Sequence, residues 1–224
     1  MHSLMVIVGL DSVSVLAEFL IHLYASNRNL NEVDSVISEP TAHTWHAIIS
    51  SYTKLGAHKK ALLIYHDMIN KRTILPNRFI YLCVLKACFS SETFYEGMRI
   101  HSQIVKDGLE SLDVVLATML VDMYGKCGKL MAHSVFIHCM QHDAILYGAL
   151  ISGYVQNGQC LLALELYRKM QDKDMNPDRF AYSCVLKACG NIKSLKQGRE
   201  IHNQIIVCML ESDEVICSTL IDMY

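Results

Sequence analysis

Apolar residues along the chain recur at intervals of three and four, in short stretches separated by glycine or by Asn-Pro. Within residues 144–178, the first stretch ends before Asn157-Gly158 and the second before Asn176-Pro177-Asp178. The residues that define the two stretches are Leu146, Tyr147, Leu150, Ile151, Tyr154, Leu161, Leu164, Leu166, Tyr167 and Met170. This spacing predicts two amphipathic helices, and the glycine and proline residues suit the turns that end them.

The same pattern returns along the chain. A shift of about 100 residues places RFIYLCVLKAC at 78–88 on RFAYSCVLKAC at 179–189, and LVDMY at 120–124 on LIDMY at 220–224. The chain divides into repeats at 14–41, 42–77, 78–113, 114–143, 144–178 and 179–213, with partial repeats at 1–13 and 214–224. Because the chain begins and ends inside a repeat, we expect it to be a fragment or a truncated gene product.

One helix pair cannot bury both of its apolar stripes, so neighbouring pairs must stack. The sequence therefore predicts an all-α fold in which residues 1–224 form a single repeat array. We expect an α-solenoid, a right-handed superhelix of tandem helix-turn-helix repeats of about 30–36 residues, with a concave groove. Tyrosines that share one repeat position are predicted to be core aromatics; they are Tyr24, Tyr52, Tyr124, Tyr154 and Tyr224.

Composition narrows the class of function. Apolar residues make up 52% of the chain, and only three prolines occur, which favours a helical protein with a substantial core. The net charge of −2 and the pI near 6.6 do not by themselves indicate nucleic-acid binding. No apolar run reaches the roughly 18 residues needed to cross a bilayer, so no membrane partner is expected. Without a visible signal peptide, the nine cysteines are interpreted as reduced and intracellular.

Clusters that resemble chemical sites are explained by the repetition. Cys83 and Cys88 recur as Cys184 and Cys189, and a spacing of five does not match the two-residue gap of a zinc knuckle. His101 recurs as His202 and is interpreted as a packed or half-exposed histidine. A zinc deaminase needs His-x-Glu and Cys-x-x-Cys, and neither string occurs in these 224 residues. We therefore expect no metal, no cofactor and no enzymatic activity.

Three strings carry a family resemblance: ALISGYVQNG at 149–158, VLKAC at 185–189 and VDMYGKCG at 121–128. They strongly resemble the plant pentatricopeptide repeat family, and specifically its subclass with alternating pure, long and short repeats. The resemblance implies a protein of the mitochondrion or chloroplast that binds single-stranded organellar RNA rather than DNA. It also implies a role in guiding cytidine-to-uridine editing, with an editing deaminase or other editing factors as further partners. The deaminase domain would lie elsewhere.

Helical-repeat readers of RNA recognise about one base per repeat with two or three side chains. The resemblance assigns base reading to the fifth and last residues of each repeat and base stacking to the second. The reading pairs are Glu18 with Thr41, His46 with Asn77, Leu82 with Asp113, Thr118 with Asp143, Gly148 with Asp178, and Ser183 with Asp213; Ser218 has no partner within the chain. The stacking residues are Val15, His43, Phe79, Val115, Ile145, Phe180 and Val215.

Two of these pairs suit a specific base. A hydroxyl with a carboxylate, as in Thr118 with Asp143, fits the N1–H and N2–H donors of guanine, and Ser183 with Asp213 offers the same chemistry. Asp143 and Asp178 also precede helices, so helix capping is the simpler alternative. Val115 and Ile145 are equally compatible with a core position. At the level of function, the alternatives are a solenoid that binds a peptide and a decayed repeat fragment without a specific ligand.

Overall fold

The computed structural model describes residues 41–71, 74–89, 92–109, 113–129 and 131–224. Within these ranges the secondary structure is entirely helical, which confirms the all-α prediction. The helices are α1 (Ala42–Lys54), α2 (His58–Lys71), α3 (Arg78–Lys86), α4 (Phe94–Lys106), α5 (Val114–Lys126), α6 (Met131–His138), α7 (Ala144–Gln156), α8 (Cys160–Gln171), α9 (Arg179–Asn191), α10 (Leu195–Val207) and α11 (Glu214–Met223). Val15 and Glu18 lie outside the described residues.

The described residues form two compact bodies, and the division between them falls after Ile104, in the last turn of α4. The N-terminal body ends there, and the C-terminal body contains the described residues of 105–224. In the N-terminal body, α1 packs against both α2 and α3, and α2 also contacts α3. Its core contains Ile48, Tyr52, Met68 and Tyr81, none of which is more than 1% exposed.

The C-terminal body consists of two layers of helices. One layer contains the first helix of each repeat: α5 packs against α7, α7 against α9, and α9 against α11. The other layer contains the second helices, and each lies between two first helices: α6 contacts α5 and α7, α8 contacts α7 and α9, and α10 contacts α9 and α11. This is the stacking of an α-solenoid, in which each pair buries its apolar stripes against its neighbours.

The ends of the first helices repeat as well. Gly158 follows α7 with φ +72°, and Gln159 N–H donates back to the carbonyl of Tyr154 over 2.8 Å. Only glycine adopts this left-handed conformation without a steric cost, which explains the repeated glycine. In the next repeat Lys193 takes the same place with φ +57°, and Ser194 N–H donates to Cys189.

The shared tyrosine position is buried in the interior repeats. Tyr52, Tyr124 and Tyr154 are 0%, 1% and 9% exposed. Tyr224 is 60% exposed, so the prediction of a core residue is wrong there. The ring lies at the surface, with its hydroxyl 3.0 Å from Nδ1 of His202. Tyr24 lies outside the described residues.

Two glycines set the spacing between α5 and α7. A Cβ atom at Gly125 would lie 2.9 Å from the Cα atom of Gly153, so the two backbones are nearly in contact. The Asn157 side chain closes this crossing, because its amide donates to the carbonyls of Gly125 and Gly153 over 2.9 and 2.7 Å. The close approach fixes how the C-terminal turns of α5 and α7 lie beside each other.

Candidate nucleic-acid interface

The second residue of each described repeat lies on the first turn of a first helix and is exposed. In the C-terminal body Val115, Ile145, Phe180 and Val215 are 44%, 64%, 52% and 56% exposed. In the N-terminal body His43 and Phe79 are exposed too. Val115 and Ile145 are therefore not core residues. We call Val115, Ile145, Phe180 and Val215 the apolar row.

Most of the fifth residues are accessible, and the His46 side chain lies close to the second residue of the following repeat. Thr118, Ser183, His46 and Leu82 are half-buried, and Ser218 is exposed. The His46 and Phe79 rings are 6.0 Å apart between centroids.

Gly148 differs from these residues because the structure buries it. A Cβ atom at Gly148 would lie 3.9 Å from Cδ1 of Phe180 on the next first helix. This position therefore has no side chain and no open surface with which to read a base. The contact also shows that the fifth position of one repeat and the second position of the next share one face of the α7–α9 pair.

The hydroxyl groups at two fifth positions are held by the protein. Thr118 Oγ1 donates to the carbonyl of Val114, one turn earlier, over 2.7 Å. Ser183 Oγ lies 3.0 Å from Thr219 Oγ1 on α11. Thr219 is the sixth residue of its repeat, a position to which the sequence pattern assigns no role. The pattern could not point to it, because the contact depends on how α9 and α11 pack.

The last residue of each described repeat is a helix N-cap. Thr41, Asn77, Asp113, Asp143, Asp178 and Asp213 each accept a backbone N–H from the first turn of the following helix. For Asp143 and Asp178 the bond joins Oδ1 to the N–H of Leu146 or Ala181 over 2.8 Å. The predicted capping role is therefore present in the structure.

Capping uses one oxygen of each carboxylate. In the described part of the chain, Oδ2 of Asp143 and of Asp178 makes no hydrogen bond to another residue. Oδ2 of Asp213 lies 3.6 Å from Nη1 of Arg179, and this arginine side chain is 71% exposed. The carboxylates of Asp143, Asp178 and Asp213 thus stand at fixed places beside the apolar row, and capping leaves their second oxygen unused.

Comparison with known proteins identifies the family. The model of the PPR repeat family matches residues 142–191, and a PPR repeat model matches residues 43–72. A pentatricopeptide repeat-containing protein of Arabidopsis thaliana is 30% identical over 227 residues, which cover 100% of this chain and 36% of the relative. The chain belongs to the pentatricopeptide repeat family. A second Arabidopsis pentatricopeptide repeat-containing protein, named as mitochondrial, is 34% identical over 232 residues, 93% of this chain and 25% of the relative.

Solved pentatricopeptide repeat structures share the fold. The pentatricopeptide repeat protein PPR10 in complex with an 18-nt psaJ RNA element matches with a TM-score of 0.75 and 18% identity, over 92% of this chain and 32% of that one. The PPR domain of Arabidopsis thaliana protein-only RNase P 1 in complex with tRNA matches with a TM-score of 0.63 and 16% identity. The match covers 78% of this chain and 94% of that one. This pentatricopeptide repeat chain spans 22–36% of the length of the first three curated relatives it matches.

As a pentatricopeptide repeat array, the chain is a helical repeat scaffold. Among the described residues, no group of three or more His, Cys, Asp or Glu side chains is placed to hold a metal ion. Nor is any described helix both long and apolar enough to cross a membrane.

Burial raises the pKa of the thiols of Cys83 and Cys184, and hydrogen bonds to Ser50 and Ser152 partly oppose the shift. These repeated cysteines therefore pack between helices.

Proposed function

We propose that the chain binds single-stranded RNA along the N-terminal turns of its first helices. The observation that carries the proposal is the apolar row, which is 44–64% exposed at one repeat position and flanked by anchored hydroxyls and carboxylates. Exposed apolar side chains at regular intervals are suited to stack on bases, and the anchored polar groups are suited to read base edges. The two similar structures are complexes with RNA, which supports RNA as the ligand class.

At the level of single bases, we propose that Thr118 with Asp143 and Ser183 with Asp213 select guanine. The pairs His46 with Asn77, Leu82 with Asp113 and Gly148 with Asp178, and the lone Ser218, would hold nucleotides with little discrimination. Leu82 cannot hydrogen-bond to a base edge, and Gly148 is buried.

A binding selection from random single-stranded RNA tests this assignment. We expect Thr118→Ala combined with Asp143→Ala to relax the preference at one nucleotide, since a good pair of contacts to a base is worth about 1–3 kcal/mol of discrimination. Asp143→Asn is the matched control for capping, because asparagine caps a helix about as well as aspartate. It should weaken guanine preference while the melting temperature stays unchanged. A base profile that in both variants equals that of the unchanged chain would contradict the proposed reading pair.

Salt dependence separates RNA from a peptide ligand. Counterion release predicts that log K falls with log salt by about 0.7 for each phosphate contact on a single strand. A peptide held by the apolar row should respond far less. The peptide-binding solenoid would be favoured if the chain showed no detectable RNA binding at low salt and bound peptides with an affinity that salt does not change.

At the level of the whole protein, we propose a role in organelle RNA processing, most specifically the guidance of cytidine-to-uridine editing with the catalytic domain elsewhere. Relatives named as mitochondrial and as chloroplastic support an organelle location. The repeats 78–113, 114–143 and 144–178 are 36, 30 and 35 residues long. This variation in length supports the subclass with pure, long and short repeats. Loss of the full-length protein should abolish conversion of particular cytidines in organelle transcripts, which transcript sequencing would detect. Complete conversion of every site in its absence would refute the editing role.

A further inference from the structure

The Ser183 hydroxyl has a fixed direction. Thr219 Oγ1 donates its hydrogen to the carbonyl of Val215, one turn earlier on α11, over 2.7 Å. A hydroxyl has only one hydrogen to donate. In the 3.0 Å contact between Ser183 Oγ and Thr219 Oγ1, Ser183 must therefore be the donor. The hydrogen of Ser183 points at Thr219, and only the lone pairs of Ser183 remain for a ligand.

We propose that Thr219 is a positioning residue that sets the base preference of the preceding repeat, 179–213. The inference rests on the proposed RNA-binding function and adds a residue to it. Thr219 lies in a different repeat from the pair it would control. Its effect would act through the orientation of Ser183 and would not need contact with the RNA.

The fixed direction matters because it removes a donor. Ser183 then offers only acceptor capacity, as does the ionised carboxylate of Asp213. Guanine presents two neighbouring donors, N1–H and N2–H. It can therefore donate one hydrogen bond to Ser183 and one to Asp213. Adenine presents a lone pair at N1 beside its N6–H donor. A freely rotating hydroxyl could donate to adenine N1, whereas a hydroxyl held by Thr219 would place one lone pair against another.

In the repeat 114–143, the hydroxyl of the fifth residue also donates its hydrogen within the protein, but to a different acceptor. Thr118 donates directly to the carbonyl of Val114 on its own helix, a bond that threonine forms readily within a helix. The residue that corresponds to Thr219 in the following repeat is Ala149, which has no hydroxyl. Ser183 forms the bond with α11 instead. Both reading pairs proposed for guanine thus have a hydroxyl whose hydrogen is already used.

The test compares RNA pairs that differ only in guanine or adenine at one nucleotide. A selection with Ser183→Ala first locates the nucleotide that faces residues 179–213. Thr219→Val has nearly the same shape and lacks the hydroxyl. We expect it to lower the ratio of guanine to adenine affinity about five-fold, the value of one hydrogen bond, with an unchanged melting temperature. Thr219→Ser keeps the hydroxyl and should retain the ratio.

A rescue distinguishes positioning from a general structural effect. Adding Ser183→Thr to Thr219→Val should restore the ratio, because the new side chain can donate to the carbonyl of Arg179 as Thr118 does to Val114. An unchanged ratio in Thr219→Val, or a lowered ratio that Ser183→Thr does not restore, would overturn the positioning role while RNA binding stands. A chain that binds no single-stranded RNA would overturn the proposed function and this inference together.

Discussion

Replacement of Gly125 by alanine should destabilise the C-terminal body. The added Cβ atom would lie 2.9 Å from the Cα atom of Gly153 and 3.8 Å from its nitrogen. Non-bonded carbon atoms pack at about 3.5–4.0 Å, so α5 and α7 would have to separate by about 0.6–1 Å. The obstacle is backbone, which cannot rotate away as a long side chain can.

The magnitude follows from three contributions. Overpacking of a tight contact costs about 1–3 kcal/mol. Separation of the helices also stretches the two bonds from Asn157 to the glycine carbonyls, at about 1 kcal/mol. Alanine gains about 1 kcal/mol over glycine in a helix, which offsets part of this loss. The net loss in the free energy of unfolding is about 2 kcal/mol, equivalent to a fall in melting temperature of about 4–8 °C for a chain of this size.

Gly148→Ala is the matched control within the same layer of first helices, because Gly148 lies between α7 and α9. A Cβ atom there would meet its nearest neighbours on Phe180 and Ala181 at 3.9 Å, an ordinary contact, so only the gain in helix propensity remains. Its melting temperature should rise by about 2–4 °C. Thermal melts followed by circular dichroism measure both variants. If Gly125→Ala melts at or above the temperature of the unchanged chain, the backbone contact does not set the spacing of α5 and α7.

Two further predictions concern the folded state. Lys193→Gly should raise the free energy of unfolding by about 0.5–1 kcal/mol in denaturant titrations, because φ +57° strains any residue with a Cβ atom; a decrease would refute this. Burial raises the pKa of the Cys189 thiol to about 11, so the unfolded chain releases this proton at lower pH than the folded chain. Stability should therefore fall as pH rises from about 9 to about 11, and Cys189→Ala should reduce that fall in denaturant titrations at several pH values. An identical pH dependence in the two proteins would contradict it.

Local signals in the sequence predict the features that depend on neighbouring residues. The apolar spacing and Asn157-Gly158 predict where α7 ends, and the structure places Gly158 in the left-handed conformation that this turn requires. The aspartates before the first helices are likewise N-caps because capping needs only the backbone of the next turn. Exposure of the second residue is harder to predict, since Ile145 looks like a core residue and is 64% exposed.

Features that depend on packing between helices cannot be predicted from local sequence signals. The near contact of Gly125 with Gly153 and the bond between Ser183 and Thr219 join residues about 30 positions apart, and neither has a local signal. Burial of Gly148 also depends on where Phe180 lies on the next helix. Periodicity defines which side of a helix is apolar, but the distance and rotation between two helices come from the side chains at their crossing.

The mild negative charge of the chain limits how RNA can be held. With a net charge of −2, attraction to phosphates supplies little affinity, so stacking must supply more of it. Stacking of a base on an aromatic ring contributes about 1–3 kcal/mol, and Phe180 is the one aromatic member of the apolar row. Because capping fixes Asp178 and Asp213 before any ligand arrives, reading a base edge beside Phe180 costs little conformational entropy. Within the C-terminal body we therefore expect RNA affinity to concentrate around Phe180, and base selectivity to concentrate in the repeats whose carboxylates and hydroxyls are already anchored.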